Sequence, residues 1–185
     1  MRKIKQILLF CAVFLSILLL TGDKDRIQAD DDDSNFTNLV VFARFAGETE
    51  FINDVYEGSS VRKITDNSYN AGSYSVGDYY RCVSDNKLRM RSVYLYDNGG
   101  SIVLSHPRGY YAEYSDTNTI GYKDASERAS RMYELRQEWS EAVNNAISSG
   151  NKISDYNDTV HYDYGVLDKD NNGTIDSITI IYKNN

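Results

Sequence analysis

The stretch Thr37–Ala46 (TNLVVFARFA) constrains the fold more than any other part of the chain. Its β-branched and aromatic content is that of a strand, and Leu39–Phe42 is apolar at every position. Such a run suits a strand buried on both faces. Further along, Leu88–Tyr96 (LRMRSVYLY) alternates as a second strand, with Leu88 and Met90 on one face and Arg89 and Arg91 on the other. Asp97-Asn98-Gly99-Gly100 supplies the residues of a tight turn, and Ser101–Leu104 reads as the returning strand of a hairpin. Ser177–Tyr182 (SITIIY) is a short apolar strand close to the C-terminus.

Two helices are legible between these strands. Ser75 caps one that begins at Val76, with Asp78 in its first turn and Val76, Tyr79, Tyr80 and Val83 on one face. Cys82 lies on the same helix beside Tyr79 and Val83 and reads as a small core residue. The stronger signal is Asp124–Ser149. Asp124 and Glu127 form a capping-box pattern, and Met132, Leu135, Trp139, Val143 and Ala146 follow at helical spacing before Gly150. The polar stretch between Gly47 and Gly72 suggests at most one short helix, around Phe51–Tyr56. Together these elements predict a mixed α/β (α+β) domain, a mixed sheet with one long amphipathic helix.

The N-terminus carries a different message. Arg2, Lys3 and Lys5 precede the uncharged run Ile7–Leu20, which is shorter than the ~20 apolar residues of a spanning helix, so residues 1–29 read as a secretory signal cleaved after Ala29. The exported chain then holds 15 basic and 25 acidic residues, a net −10 where the whole chain carries −7. That balance speaks against a nucleic-acid partner, and loss of the leader leaves no membrane partner. It also leaves Cys82 as the one cysteine, hence no internal disulfide. Residues 30–36 form an acidic tail, and residues 37–185 the single domain.

The acidic surplus gathers near the C-terminus. Asp168-Lys169-Asp170-Asn171-Asn172-Gly173-Thr174-Ile175-Asp176 places oxygen side chains at alternate positions around a glycine. Calcium takes about six to eight oxygens, and ligands at positions 1, 3, 5 and 9 with the carbonyl of position 7 wrap one ion. The ligand set is Asp168, Asp170, Asn172, Asp176 and the Thr174 carbonyl. Thr179 stands where an EF-hand has its bidentate Glu, and a strand follows where an EF-hand has a helix. Asp155, Asp158 and Asp163 lie upstream as further candidates for the shell or a second ion.

The order of these pieces resembles a known family. Asn38–Phe45 (NLVVFARF), then Ser75-Val76-Gly77-Asp78-Tyr79-Tyr80 leading to Val83-Ser84 and Lys87-Leu88, then Leu104-Ser105-His106-Pro107 with Tyr110-Tyr111, the long helix and the Asp-rich loop before SITIIY look like the N-terminal half of the catalytic domain of secreted immune inhibitor A-type zinc metallopeptidases. The resemblance spans about residues 37–185 and implies a zincin-like N-terminal subdomain, proteolysis, and a peptide or protein substrate. Those enzymes bind Zn2+ through an HExxH helix after the strand matching SITIIY. The sequence contains no HExxH, so the resemblance implies a chain that stops before it, and zinc and the catalytic glutamate fall on no residue here. The other reading is a self-sufficient secreted calcium-dependent module for peptides or glycans, with Tyr110, Tyr111, Tyr114 and Tyr122 as stacking surfaces. Thiol chemistry by Cys82 with His106 or His161 is a weaker third.

Overall fold

A computed structural model describes residues 34–183, so the leader 1–29 and Asp30–Asp33 lie outside the described residues. The apolar run forms β1 (Phe36–Arg44), buried at its seven inner positions. It is the middle of a six-stranded mixed sheet. β4 (Met90–Leu95) runs parallel along one edge, with Leu39 opposite Val93. β8 (Ser177–Tyr182) runs parallel along the other, with Val41 opposite Ile180. Beyond β4 the sheet continues through antiparallel β6 (Ile153–Ser154) and β7 (His161–Tyr162). β2 (Val55–Tyr56) and β3 (Ser59–Ser60) form a separate antiparallel pair.

Parallel neighbours require crossovers, and the helices supply them. α1 (Val61–Asn70) and α2 (Val76–Val83) join β1 to β4, and the long α3 (Ala125–Ser148) lies on the path to β8. The period-2 alternation of β1 sorts the core into two sides. Leu39 and Val41 pack with Val93, Leu95, Ile153, Val166 and Leu167 beneath Val143 and Ala146 of α3. Val40 and Phe42 pack on the other side with Phe51, Ile52, Tyr94 and Tyr96. There Phe42 lies nearly parallel to Tyr94 and Tyr96, at 6.4 and 6.0 Å between ring centroids, and takes Phe51 edge-on at 5.9 Å. The mixed α/β character expected from the sequence is therefore present. No helix among the described residues is long and apolar enough to cross a membrane.

α3 starts and stops where its local chemistry dictates. The Asp124 carboxylate accepts from the backbone N–H of Ser126 and Glu127, both at 2.9 Å, and Glu127 reaches back to the N–H of Lys123. Replacing Asp124 with alanine is expected to cost about 1 kcal/mol in urea denaturation, the usual loss for an N-cap. Of the apolar stripe, Val143 and Ala146 are buried, while Met132, Leu135 and Trp139 are half-buried against Phe45, Leu104 and Tyr111. Ser75 caps α2 as expected, accepting from Asp78 N.

Three expectations are corrected. The hairpin does not exist: β5 (Ile102–Val103) runs parallel to β1, opposite Ala43 and Arg44, on the same edge as β4. The turn is real, with Asn98 and Gly99 at positive φ and paired bonds between Asp97 and Gly100, but it is an excursion from one strand line. Glu50 draws the chain back by accepting from the Ser101 N–H and hydroxyl at 2.8 and 3.0 Å. Burial opposes ionisation of Glu50, yet bonds from Ser101, Phe51 and Ile52 hold its carboxyl below the ordinary value. Second, Phe51–Tyr56 is turn and β2, and the helix lies later, at Val61–Asn70, capped by Ser60. Third, Cys82 is exposed, as are Tyr79 and Val83, because the α2 face they share points away from the core.

Candidate metal centre

The Asp168–Asp176 loop hangs between two fixed points. On one side the 3-10 turn Tyr164–Leu167 buries Val166 and Leu167 in the core. On the other, Asp176 immediately precedes β8 and is tied to β1, its Oδ2 accepting from Thr37 N at 2.9 Å. The N–H of Asp176 closes the base by donating to Leu167 O, also at 2.9 Å. Between these anchors the chain doubles back through left-handed Asn171 (φ 56) and Gly173 (φ 86), residue types that tolerate that region.

The carboxylates fold inward over this turn. Asp168 accepts from Asn172 N and Gly173 N, both at 2.9 Å. Asp170 accepts from Asn172 N at 3.1 Å and from its side-chain amide at 2.8 Å. As a result Asp168, Asp170 and Asp176 each bring one oxygen within 4.8 Å of the others. Two oxygens bound to one calcium at ~2.4 Å stand at most about 4.8 Å apart, so the three carboxylates could share a single ion. The donor set is all oxygen, which suits calcium and lacks the nitrogen and sulfur ligands of zinc sites. Asn172 Oδ1 accepts from Thr174 N at 2.9 Å and from the Thr174 hydroxyl, so its recruitment to a metal would replace those bonds. Burial holds the Lys169 ammonium below its ordinary pKa, against the pull of Asp176.

Two of the upstream acids are engaged in the β6–β7 hairpin. Asp155 closes the β6–β7 turn, accepting from Thr159 N, Thr159 Oγ1 and Val160 N at 2.6, 2.9 and 2.9 Å. Asp158 faces His161 at 3.3 Å, and neither Asp158 nor Asp163 joins the three-carboxylate group. His106 stacks on Tyr110 at 4.0 Å and meets Glu134 at 3.1 Å. Among the described residues, no histidine lies in a group of three or more His, Cys, Asp or Glu close enough to share a metal ion. Cys82 Sγ lies 3.8 Å from the Asp78 carboxylate, which supplies no histidine base. Of the four tyrosines, Tyr114 is exposed, with the Lys123 ammonium 5.3 Å from its ring centroid. Tyr110 lies between His106 and the Arg131 guanidinium, 4.1 Å above its ring, and Tyr111 is buried with its hydroxyl on Glu138.

One site escaped the sequence. A cleft of about 550 Å³ opens between the α1–α2 corner, the start of β4 and the β6–β7 hairpin. Its arginines at 89 and 91 were visible as a strand alternation, but Asp66, Tyr69 and Asn70 stand on α1, whose residues VRKITDNSYN are mostly polar. Compared with protein-family models, curated proteins and solved structures, the chain matches none of them.

Proposed function

We propose that this chain is an exported calcium-binding protein related to the immune inhibitor A-type metallopeptidases, residues 37–185 being a zincin-like N-terminal subdomain. The observation that carries the calcium reading is the convergence of Asp168, Asp170 and Asp176 within 4.8 Å on a loop anchored in the core at Leu167 and on β1 at Asp176. Calcium would neutralise three like charges there and lock β8 to β1 through Asp176. The order of β1, α2, β4, α3, the Asp loop and β8 supports the family reading, and the basic-then-apolar N-terminus supports export. Peptide hydrolysis is not assigned to these residues, since no HExxH occurs in the sequence and each histidine faces a carboxylate of its own.

Terbium, which takes calcium sites and is excited through nearby tyrosines, provides the test. Sensitised emission should appear on titration, fall as calcium is added, and drop at least tenfold in Asp168→Asn. Emission unchanged by either calcium or that substitution would refute the site.

A further inference from the structure

The central strand of the sheet also reaches the metal loop. Thr37, near the start of β1, is 0% exposed. Its backbone N–H donates to Asp176 Oδ2 at 2.9 Å, while its hydroxyl makes no hydrogen bond among the described residues. A hydroxyl taken out of water with no partner is costly, and buried ones nearly always have one. Thr37 Oγ1 therefore calls for a group that its protein neighbours do not supply.

Strand register says where that oxygen points. β1 and β8 run parallel with Asn38 opposite Ser177 and Leu39 opposite Ile178, which places Thr37 opposite Asp176 one step back. Paired residues share a face of the sheet, and so do residues two apart along a strand. Thr37 thus lies on the face of Leu39 and Val41, where Val166, Leu167, Ile178 and Ile180 pack. Asp176 opens on that face too, and its N–H donates to Leu167 O at the base of the loop. The unpartnered hydroxyl stands beneath the loop, beside the Asp176 carboxylate.

The loop alone leaves a calcium shell short. Calcium takes about six to eight oxygens, and the loop offers Asp168, Asp170, Asn172, Asp176 and the Thr174 carbonyl. Thr179, where an EF-hand has its bidentate Glu, is spent on the other face, its hydroxyl donating to Asn38 Oδ1 at 3.0 Å. The ninth position of such a loop, here Asp176, often reaches the ion through a water. We infer that the Thr37 hydroxyl completes the site by accepting a hydrogen bond from a calcium-bound water beside Asp176, so that β1 supplies what the loop lacks. The inference rests on the calcium reading above and adds to it a positioning residue 139 residues from Asp176 in sequence.

Calcium is titrated by calorimetry into the whole chain, Thr37→Val and Thr37→Ser, and each protein is also melted without calcium. Valine keeps the shape of threonine and the backbone N–H on Asp176 but lacks the hydroxyl; serine keeps the hydroxyl. Thr37→Val should weaken calcium at least ~5-fold, the worth of about one hydrogen bond, and Thr37→Ser should stay within ~2-fold of the parent. Without calcium, Thr37→Val should melt no lower than the parent, because a methyl replaces an unpartnered buried hydroxyl. Calcium binding by Thr37→Val within ~2-fold of the parent, or an equal loss in both variants, overturns the inference. So does a calcium-free Thr37→Val that melts more than ~4 °C lower, since the hydroxyl would then have a structural partner. If the parent takes up no calcium, the calcium reading falls and this inference with it. If the parent binds, Asp168→Asn does not and Thr37→Val is unaffected, the calcium reading stands and only the role of Thr37 falls.

Discussion

Replacing Phe42 with alanine is expected to destabilise the domain by about 3–5 kcal/mol, the range for deleting a fully buried aromatic ring. Phe42 is 0% exposed on the central strand and touches aromatic neighbours contributed by β4 and by the Phe51–Ile52 segment. Those neighbours come from different parts of the chain and are held by strand pairing, so the cavity has little room to collapse. A domain of this size has ~5–15 kcal/mol of stability in all, so the variant should unfold at markedly lower urea. The slope of the transition should be unchanged. Val83→Ala, on the exposed face of α2, is the control and should stay within ~0.5 kcal/mol of the parent. A Phe42→Ala loss below about 1 kcal/mol would mean that the aromatic side of the sheet is not a packed core.

Calcium is expected to raise the melting temperature by about 5–10 °C at a free concentration 100-fold above its dissociation constant. Mass action gives ~2.7 kcal/mol at that excess, and each kcal/mol moves Tm by ~2–4 °C for a domain of about 150 residues. Asp176→Asn separates the two tasks of this side chain. The amide oxygen can still accept from Thr37 N, which preserves the link between the loop and β1, while the charge that attracts the ion is gone. The variant should therefore melt close to the parent without calcium and gain less than ~2 °C with it. An equal gain in both proteins would remove Asp176 from the ligand set.

How far these features were legible depends on the distance over which each is decided. β1 and β8 are continuous apolar runs, and the caps at Ser75 and Asp124 act within three residues, so sequence reading found them. The chain at Asp97–Gly100 has the local chemistry of a hairpin turn. Its actual outcome is set by Glu50, 51 residues from Ser101, and no local pattern encodes that. α1 buries only Thr65 and holds few apolar residues, Val61, Ile64 and Tyr69, so it lacks the long apolar stripe by which α3 was read. The metal loop shows the same division. Alternation of acids around Gly173 marked Asp168, Asp170 and Asp176, but the bond joining Asp176 to Thr37 spans 139 residues. Asp155 looked like a ligand by proximity in sequence, and its own turn claims it through Thr159 and Val160.

Calorimetric titration of calcium into the chain tests the central claim most directly. One saturable site is predicted, with a dissociation constant of about 10⁻⁴–10⁻³ M, the range of extracellular oxygen-ligand sites, and no measurable binding in the Asp168→Asn, Asp176→Asn double variant. Heats equal to dilution in the parent chain, or the same isotherm in the double variant, would contradict it.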